Sequence, residues 1–297
     1  MSATKDLHRK CDSRRQAIAF EAAGLAWLAE AQHLDGAPVV KVHEYHPGTE
    51  MHPACLWEDR LSNTAPTPDT ARAFGAALAH THLAGAPYFG CGPQSLISRT
   101  VAETDRKDSI QNSNSSGLEE PWVGDGFMGS TRLPLRHQAP ANWEEFYAED
   151  RLIHYLPTAR DNHSLGPNEV RVIERLCERL VDQKVTSPLP ERFHNEGVQA
   201  ARIHGDLWSG NVMWAPAGTL IDPAAHGGNP ESDLAQLQVF GQPLMNEIYA
   251  GYLSVTRLPE HWQERIGLHQ LHMLIVHAAI FGGSYGEQTA DVARSYI

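Results

Sequence analysis

Residues 201–223 read Ala201-Arg202-Ile203-His204-Gly205-Asp206-Leu207-Trp208-Ser209-Gly210-Asn211, then Val212-Met213-Trp214, Ala215-Pro216-Ala217-Gly218 and Thr219-Leu220-Ile221-Asp222-Pro223. Two short apolar runs flank a Pro/Gly turn, the pattern of a hairpin. Folding 212–221 as a hairpin returns Asp222 to the side of Asn211. Asp206 stands five residues before Asn211, so three oxygen-bearing side chains converge through local geometry alone. An isolated His-Gly-Asp would be read as a turn and Asp222 as a surface residue before proline. The joint spacing of all three argues against that reading.

An Asp, an Asn five residues on and a second Asp on the next apolar segment is the spacing of the protein-kinase active site. There the H-R-D-x-x-x-x-N loop supplies the base that takes the hydroxyl proton, its Asn holds Mg²⁺, and the later Asp holds the metal on the nucleotide phosphates. Here Asp206 would accept the proton of an attacking hydroxyl. Asn211 offers a neutral oxygen and Asp222 an anionic one, the hard ligands that Mg²⁺ prefers. His204, at the head of the motif, is expected to brace the loop by hydrogen bonding.

Composition narrows the partners. The chain has 297 residues, 41% hydrophobic and 20% charged, with 36 acidic against 24 basic side chains and a net charge of −12. That length allows one large domain or two lobes, and that balance argues against nucleic acid or an anionic membrane as partner. Cys11, Cys55, Cys91 and Cys177 are scattered without a C-x-x-C pair, and we read them as reduced thiols. No run approaches the ~18 uninterrupted apolar residues of a membrane helix, and the first residues are charged with no apolar leader. The expectation is a soluble, unexported, cytoplasmic protein.

In chain order, Ser2-Ala3-Thr4-Lys5 is expected to end a strand, followed by a charged connector. Arg15 to Ala29 carries Ile18, Leu25 and Leu28 at helical spacing, with Glu21 on the same helix. Val39 to Tyr45 and Ala54 to Trp57 read as strands around a Pro47-Gly48 turn. A Pro/Thr-rich linker, Asn63 to Pro68, closes a small lobe, and Pro68 to Leu83 opens a larger one as a helix. Trp143 to Leu156, Val170 to Leu180, Ser232 to Leu237 and Leu268 to Ile280 read as further helices. The fold class is α+β: a small sheet lobe over 1–61 and a larger, mostly helical lobe over 62–297, with a polar, flexible insert over 91–124. Seventeen histidines invite a metal reading. His80-Thr81-His82 and His269-x-x-His272 lack the acidic or cysteine partners of a transition-metal set, so packing roles are expected.

The run His204-Gly-Asp-Leu-Trp-Ser-Gly-Asn211 resembles the fructosamine kinase (ketosamine-3-kinase) family, itself similar to aminoglycoside phosphotransferases and choline kinases. The resemblance continues in Phe20-Glu21-Ala-Ala-Gly-Leu25, Asp125-Gly-Phe-Met-Gly-Ser130, Trp143-Glu-Glu-Phe146, Ser232-Asp-Leu-Ala235 and Phe281-Gly-Gly-Ser-Tyr285. It implies a two-lobed protein-kinase-like fold. It also implies ATP-dependent phosphorylation of the sugar moiety of a ketoamine, either a small molecule or a glycated protein. On this resemblance Lys5, with Lys10 as competitor, contacts the nucleotide phosphates and Glu21 is its helix partner. Adenine bonds to backbone near Trp57, Glu58 and Asp59, Asn211 and Asp222 hold Mg²⁺ against ATP, and Trp208 lines the acceptor side.

The fold so implied places a hairpin with a nucleotide-covering loop ahead of the lysine strand, whereas four residues precede Lys5. The expectation is a small lobe lacking that hairpin, with weak nucleotide binding. Two alternatives stand beside the ketoamine reading. One is an aminoglycoside or other small-molecule hydroxyl kinase; the other is an inactive nucleotide-binding scaffold. Oligomeric state is not legible.

Overall fold

A computed structural model describes residues 6–95 and 120–297; of residues 94, 95, 120 and 121 it describes the backbone. Strand β1 (Leu7–Asp12), helix α1 (Arg15–Glu30), strand β2 (Val42–His46) and strand β3 (Ala54–Asp59) form the small lobe. The sheet is antiparallel in the order β1-β3-β2, with Lys10 opposite Leu56 and His8 opposite Glu58. Cross-strand partners share a face, so Lys10, Leu56 and Glu58 point one way. Trp57 points the other way, where the Arg9 guanidinium lies 5.1 Å from its ring centre and the His46 ring 5.0 Å.

Two expectations are corrected here. The stretch read as a charged connector contains β1: its polar side chains hide the strand, which its long-range partner β3 specifies. Lys5 lies outside the described residues. The reading of four reduced thiols also fails, because Cys11 and Cys55 face each other across β1 and β3 and are joined, with Cα atoms 4.2 Å apart. A pairing across 44 residues leaves no trace in cysteine spacing. Cys91 and Cys177 are free and buried.

Helix α1 is buried on most sides, through Ile18, Phe20, Leu25, Trp27 and Leu28, because it is clamped between the sheet and the large lobe. Gly24 permits the clamp. A Cβ there would lie 3.2 Å from Ala225 Cβ and 3.3 Å from Pro223, so α1 is set directly against the chain that follows Asp222.

The linker is pinned to the central hairpin: Trp214 N–H donates to Asn63 Oδ1 (2.8 Å), and Thr64 donates through N–H and hydroxyl to the Trp214 carbonyl. Helix α2 (Pro68–Leu83) keeps the expected bounds, since Thr67 and Thr70 close a capping box and Pro68 occupies the first turn. It crosses the helix Met245–Val255 at a glycine pair. A Cβ on Gly75 or on Gly251 would fall 1.9 Å from a carbonyl oxygen of the opposite helix.

The large lobe is otherwise built on Pro167–Val181, Pro230–Val239, Ile266–Phe281 and Tyr285–Arg294. Ile266–Phe281 is apolar all round, buries ten residues and forms its centre. The helix expected over 143–156 is broken into Trp143–Phe146, a wide turn Tyr147–Leu152, a tight turn Ile153–Tyr155 and a new helix Leu156–Asp161. Pro157 sits in the first turn of that last helix, where its missing N–H does no harm; inside a continuous helix it would break the ladder. Of the insert read over 91–124, residues 96–119 lie outside the described residues, and the short strands Gln94–Ser95 and Glu120–Pro121 pair on either side of them. Among the described residues, no helix is long and apolar enough to cross a membrane.

Candidate active site

Strand Ala201–Ile203 delivers the chain to His204-Gly205-Asp206. Gly205 has φ +80°, and a Cβ there would lie 2.2 Å from the Ala224 carbonyl oxygen. Only glycine fits this turn. The loop is then held from below by the helix Pro230–Val239. Asp233 accepts from His204 N–H (2.7 Å), Gly205 N–H (2.9 Å) and His82 Nε2 (3.1 Å). Gln236 accepts from Leu207 N–H and donates to the Gly205 carbonyl. Burial opposes ionisation of Asp233, but the hydrogen bond from His82, the nearby His82 and His204 rings and the Gly205 N–H outweigh it and hold its carboxyl below the usual range.

His204 braces the loop, as expected. Its Nε2 donates to the Ile221 carbonyl (2.8 Å) and its Nδ1 accepts from Asp206 N–H (3.3 Å). Burial lowers its pKa, so a neutral imidazole ties the loop to Ile221, just after strand Gly218–Leu220.

Strands Val212–Trp214 and Gly218–Leu220 pair as the hairpin the spacing predicts. Ile221 N–H donates to the Asn211 carbonyl (3.2 Å), which sets residues 211 and 222 side by side. The Asn211 amide nitrogen is spent on the Asp206 carbonyl (2.8 Å), the Asp206 carboxylate (3.3 Å) and the Asp222 carbonyl (3.4 Å). Its Oδ1 is thereby left as the acceptor. Asp222 sits at φ +53°, a left-handed conformation that costs a non-glycine residue energy and that Asp tolerates better than most. Burial raises the Asp206 pKa, the Asn211 hydrogen bond partly offsets it, and the Asp222 and Asp233 charges add to it; the result is about 7.

The small lobe contributes Lys10. Its Nζ lies 2.7 Å from Glu21 Oε2 and 3.1 Å from Asp222 Oδ1. Burial lowers the lysine pKa, but the two carboxylates more than reverse it. Lys10, named beside Lys5 as a candidate, thus pairs with Glu21. Glu58 completes the cluster. It is 5% exposed with Oε2 unpartnered, and burial, with Asp222 and Glu21 nearby, pushes its pKa to about 7. Two carboxylates thus hold one lysine, with a third buried acid near them.

Trp57 turns away from this cleft. Asp59 is engaged by His43 through its side chain (2.8 Å) and by the Lys41 carbonyl through its N–H (3.0 Å). Trp208, 36% exposed, lies edge-on to Phe240. Asp233, Gln236 and His82 were not singled out as site residues. Asp233 lay inside a quoted family motif, whereas His82 and Gln236 carry no local signal, because their roles are contacts across 29 to 151 positions. A cavity of about 560 Å³ between α1 and β2 is lined by Leu25, Val40, Lys41, His43 and Tyr45 among others and includes none of Lys10, Glu21, Glu58, Asp206, Asn211 and Asp222.

The family model for fructosamine kinase matches residues 121–297. A probable ketoamine kinase of Lactiplantibacillus plantarum is 27% identical over 209 residues, covering 70% of this chain and 68% of that protein. The chain spans a little over half the length of several further probable ketoamine kinases. Among solved structures, a protein of Thermobifida fusca assigned as a fructosamine-3-kinase superposes with a TM-score of 0.75 at 33% identity, over 98% of this chain and 85% of that one. An aminoglycoside phosphotransferase solved with ADP and hygromycin B gives 0.53 at 13% identity, over 99% and 92%, a likeness of fold alone.

Proposed function

The chain belongs to the fructosamine kinase family, and from that premise we propose that it transfers the terminal phosphoryl group of ATP to a hydroxyl on the sugar moiety of a ketoamine. The observation that carries the reading is the convergence of Asp206, Asn211 and Asp222 with the Lys10–Glu21 pair. Asp206 takes the proton of the attacking hydroxyl and orients its oxygen; a base with a pKa near the working pH suits that task. Lys10 holds Asp222 and presents a cation to the phosphates.

The donor set suits Mg²⁺. Asn211 Oδ1 and the Asp222 carboxylate are hard oxygens, and the described residues contain no cluster of three His, Cys, Asp or Glu side chains fit to hold a metal by themselves. A cation that keeps water and phosphate as its other ligands matches that sparse set. Bound together, nucleotide and metal supply the phosphoryl group and neutralise its charge. The acceptor is a small ketoamine or the glycated amine of a protein. We place the reaction in the cytoplasm, where ATP is found, although the Cys11–Cys55 bond removes the thiol part of that argument.

ATP consumption with a fructose- or ribulose-lysine acceptor tests the reading. Asp206→Ala is expected to lower the rate by roughly 10²–10⁴. In the wild type, kcat/KM for the acceptor should fall tenfold per pH unit below about pH 7, because the base acts only when deprotonated. Turnover on an aminoglycoside but on no ketoamine would replace the substrate class. Nucleotide binding without turnover on either would leave a scaffold.

A further inference from the structure

The cavity between α1 and β2 holds about 560 Å³, the size of a small-molecule pocket. Ala22, Ala26 and Ala29 form its α1 wall; spaced by four and then three positions, they share one helix face. Side chains of one methyl group each make that wall flat. Val42 and Tyr45, both half-buried, stand on the opposite side, on β2. The β2–β3 register shifts at a bulge between Val42 and Glu44, and bulges collect beside binding sites because they re-aim side chains. The charge around the space is not balanced. His43 Nε2 bonds to Asp59 (2.8 Å) and His46 Nε2 to Glu44 (2.6 Å), whereas the exposed Lys41 ammonium has no partner among the described residues. A second cation is close: burial raises the Tyr45 phenol pKa and the nearby Arg15 charge opposes it.

We infer that this cavity binds a small aromatic carboxylate, with its ring between the alanine wall and Tyr45 and its carboxylate at Lys41, and that the ligand tightens nucleotide binding. A planar ring fits a flat wall, and an apolar slot with one unbalanced cation selects an anion. The link to the cleft runs through α1. Glu21, next to Ala22 in the chain, holds Lys10 at 2.7 Å, and Gly24 seats the same helix on Ala225 and Pro223, just after Asp222. A ring wedged between α1 and β2 presses the helix onto that seat and steadies the Lys10–Glu21 pair. Two sites that bias one rigid element are coupled, and the coupling is reciprocal. The binding site stands by itself; the coupling rests on the kinase reading.

The probe is 2-naphthoate, titrated by its fluorescence against the full chain, with 2-naphthylmethanol as the uncharged comparison. Saturable one-to-one binding is expected, with the carboxylate about two- to fivefold tighter than the alcohol, the worth of one exposed ion pair. Lys41→Gln should remove that difference. Ala26→Phe, whose ring fills the slot, should abolish binding of both probes; Lys41 is exposed, so the test does not depend on whether Ala26→Phe folds. Saturating naphthoate should lower the Kd of Mg-ADP about fivefold or more, and Mg-ADP should lower the Kd of naphthoate by the same factor. No saturable binding, or binding that both substitutions leave unchanged, would overturn the site. Equal affinity for the alcohol would overturn the carboxylate, and binding that weakens as protein concentration rises would give the cavity to a second copy of the chain. Unchanged Mg-ADP affinity would overturn the coupling while phosphoryl transfer to a ketoamine stands. Turnover on no acceptor, with naphthoate bound as described, would overturn the kinase reading and leave the site.

Discussion

The catalytic loop and the small-lobe face of the cleft hold their charges by opposite means. In the loop, Asp233 is surrounded by donors: two backbone N–H groups and His82 meet its two oxygens, and Gln236 and His204 fasten the neighbouring backbone. Opposite it, Glu21 and Asp222 share the Lys10 ammonium, Glu58 is buried near them, and Glu21 Oε1 and Glu58 Oε2 lack partners. A satisfied buried network rigidifies what it holds, and an under-neutralised one strains the fold unless a ligand brings the missing charge. The loop is therefore built to stay in place without substrate. The small-lobe face leaves carboxylate oxygens unsatisfied, which on the proposed function a cation arriving with its nucleotide would complete.

Three substitutions probe that contrast. Asp233→Ala strips the loop of its acceptor and leaves His204 N–H, Gly205 N–H and His82 without it. It should cost about 3–5 kcal/mol of stability, read by urea unfolding, because a buried charged network has lost one member. A loss below about 1 kcal/mol would show that the loop is not held this way. Lys10→Met removes the ammonium that Glu21 and Asp222 share. We expect kcat/KM for ATP to drop about 10²-fold, the usual cost of removing a donor aimed at developing charge, together with a loss of stability because Glu21 and Asp222 lose the ammonium between them. Unaltered ATP kinetics would return the role to Lys5.

Glu58→Gln should have the smallest effect and the opposite sign. The folded pKa of Glu58 is about 7 against 4.5 for the free group. Its carboxyl is thus tolerated when protonated, and the stability it allows is lost as pH rises through 7. The variant should match the wild type at pH 4 and exceed it by about 1–2 kcal/mol at pH 8. A stability difference independent of pH would mean that Glu58 is not a strained acid. Saturating Mg-ATP should shrink the gap.

Much of the loop was legible because its information is local. The spacing of Asp206, Asn211 and Asp222 and the turn between them require one hairpin, and that hairpin is present. Helix α2 was legible to its last residue because its cap, its proline and its apolar face are contiguous. The strand β1 was not. Its six residues carry no apolar alternation, and its place is set by β3, more than forty positions away, which also decides that Lys10 reaches Glu21 and that Cys11 meets Cys55.

The amino-acid sequence by itself determined the chemistry on offer: a base, two hard oxygen ligands and the hairpin that gathers them, along with the family that uses them. Tertiary structure alone decided that Lys10 faces them, that Glu58 lies near them as a buried acid, that Asp233 anchors them, and that the exposed Phe240 and Phe281 rings run on from Trp208. The physical reason is reach. A turn or a cap is settled by neighbours a few residues apart, whereas sheet register and ion pairs between lobes depend on chain closure over tens to hundreds of residues, which no local pattern records.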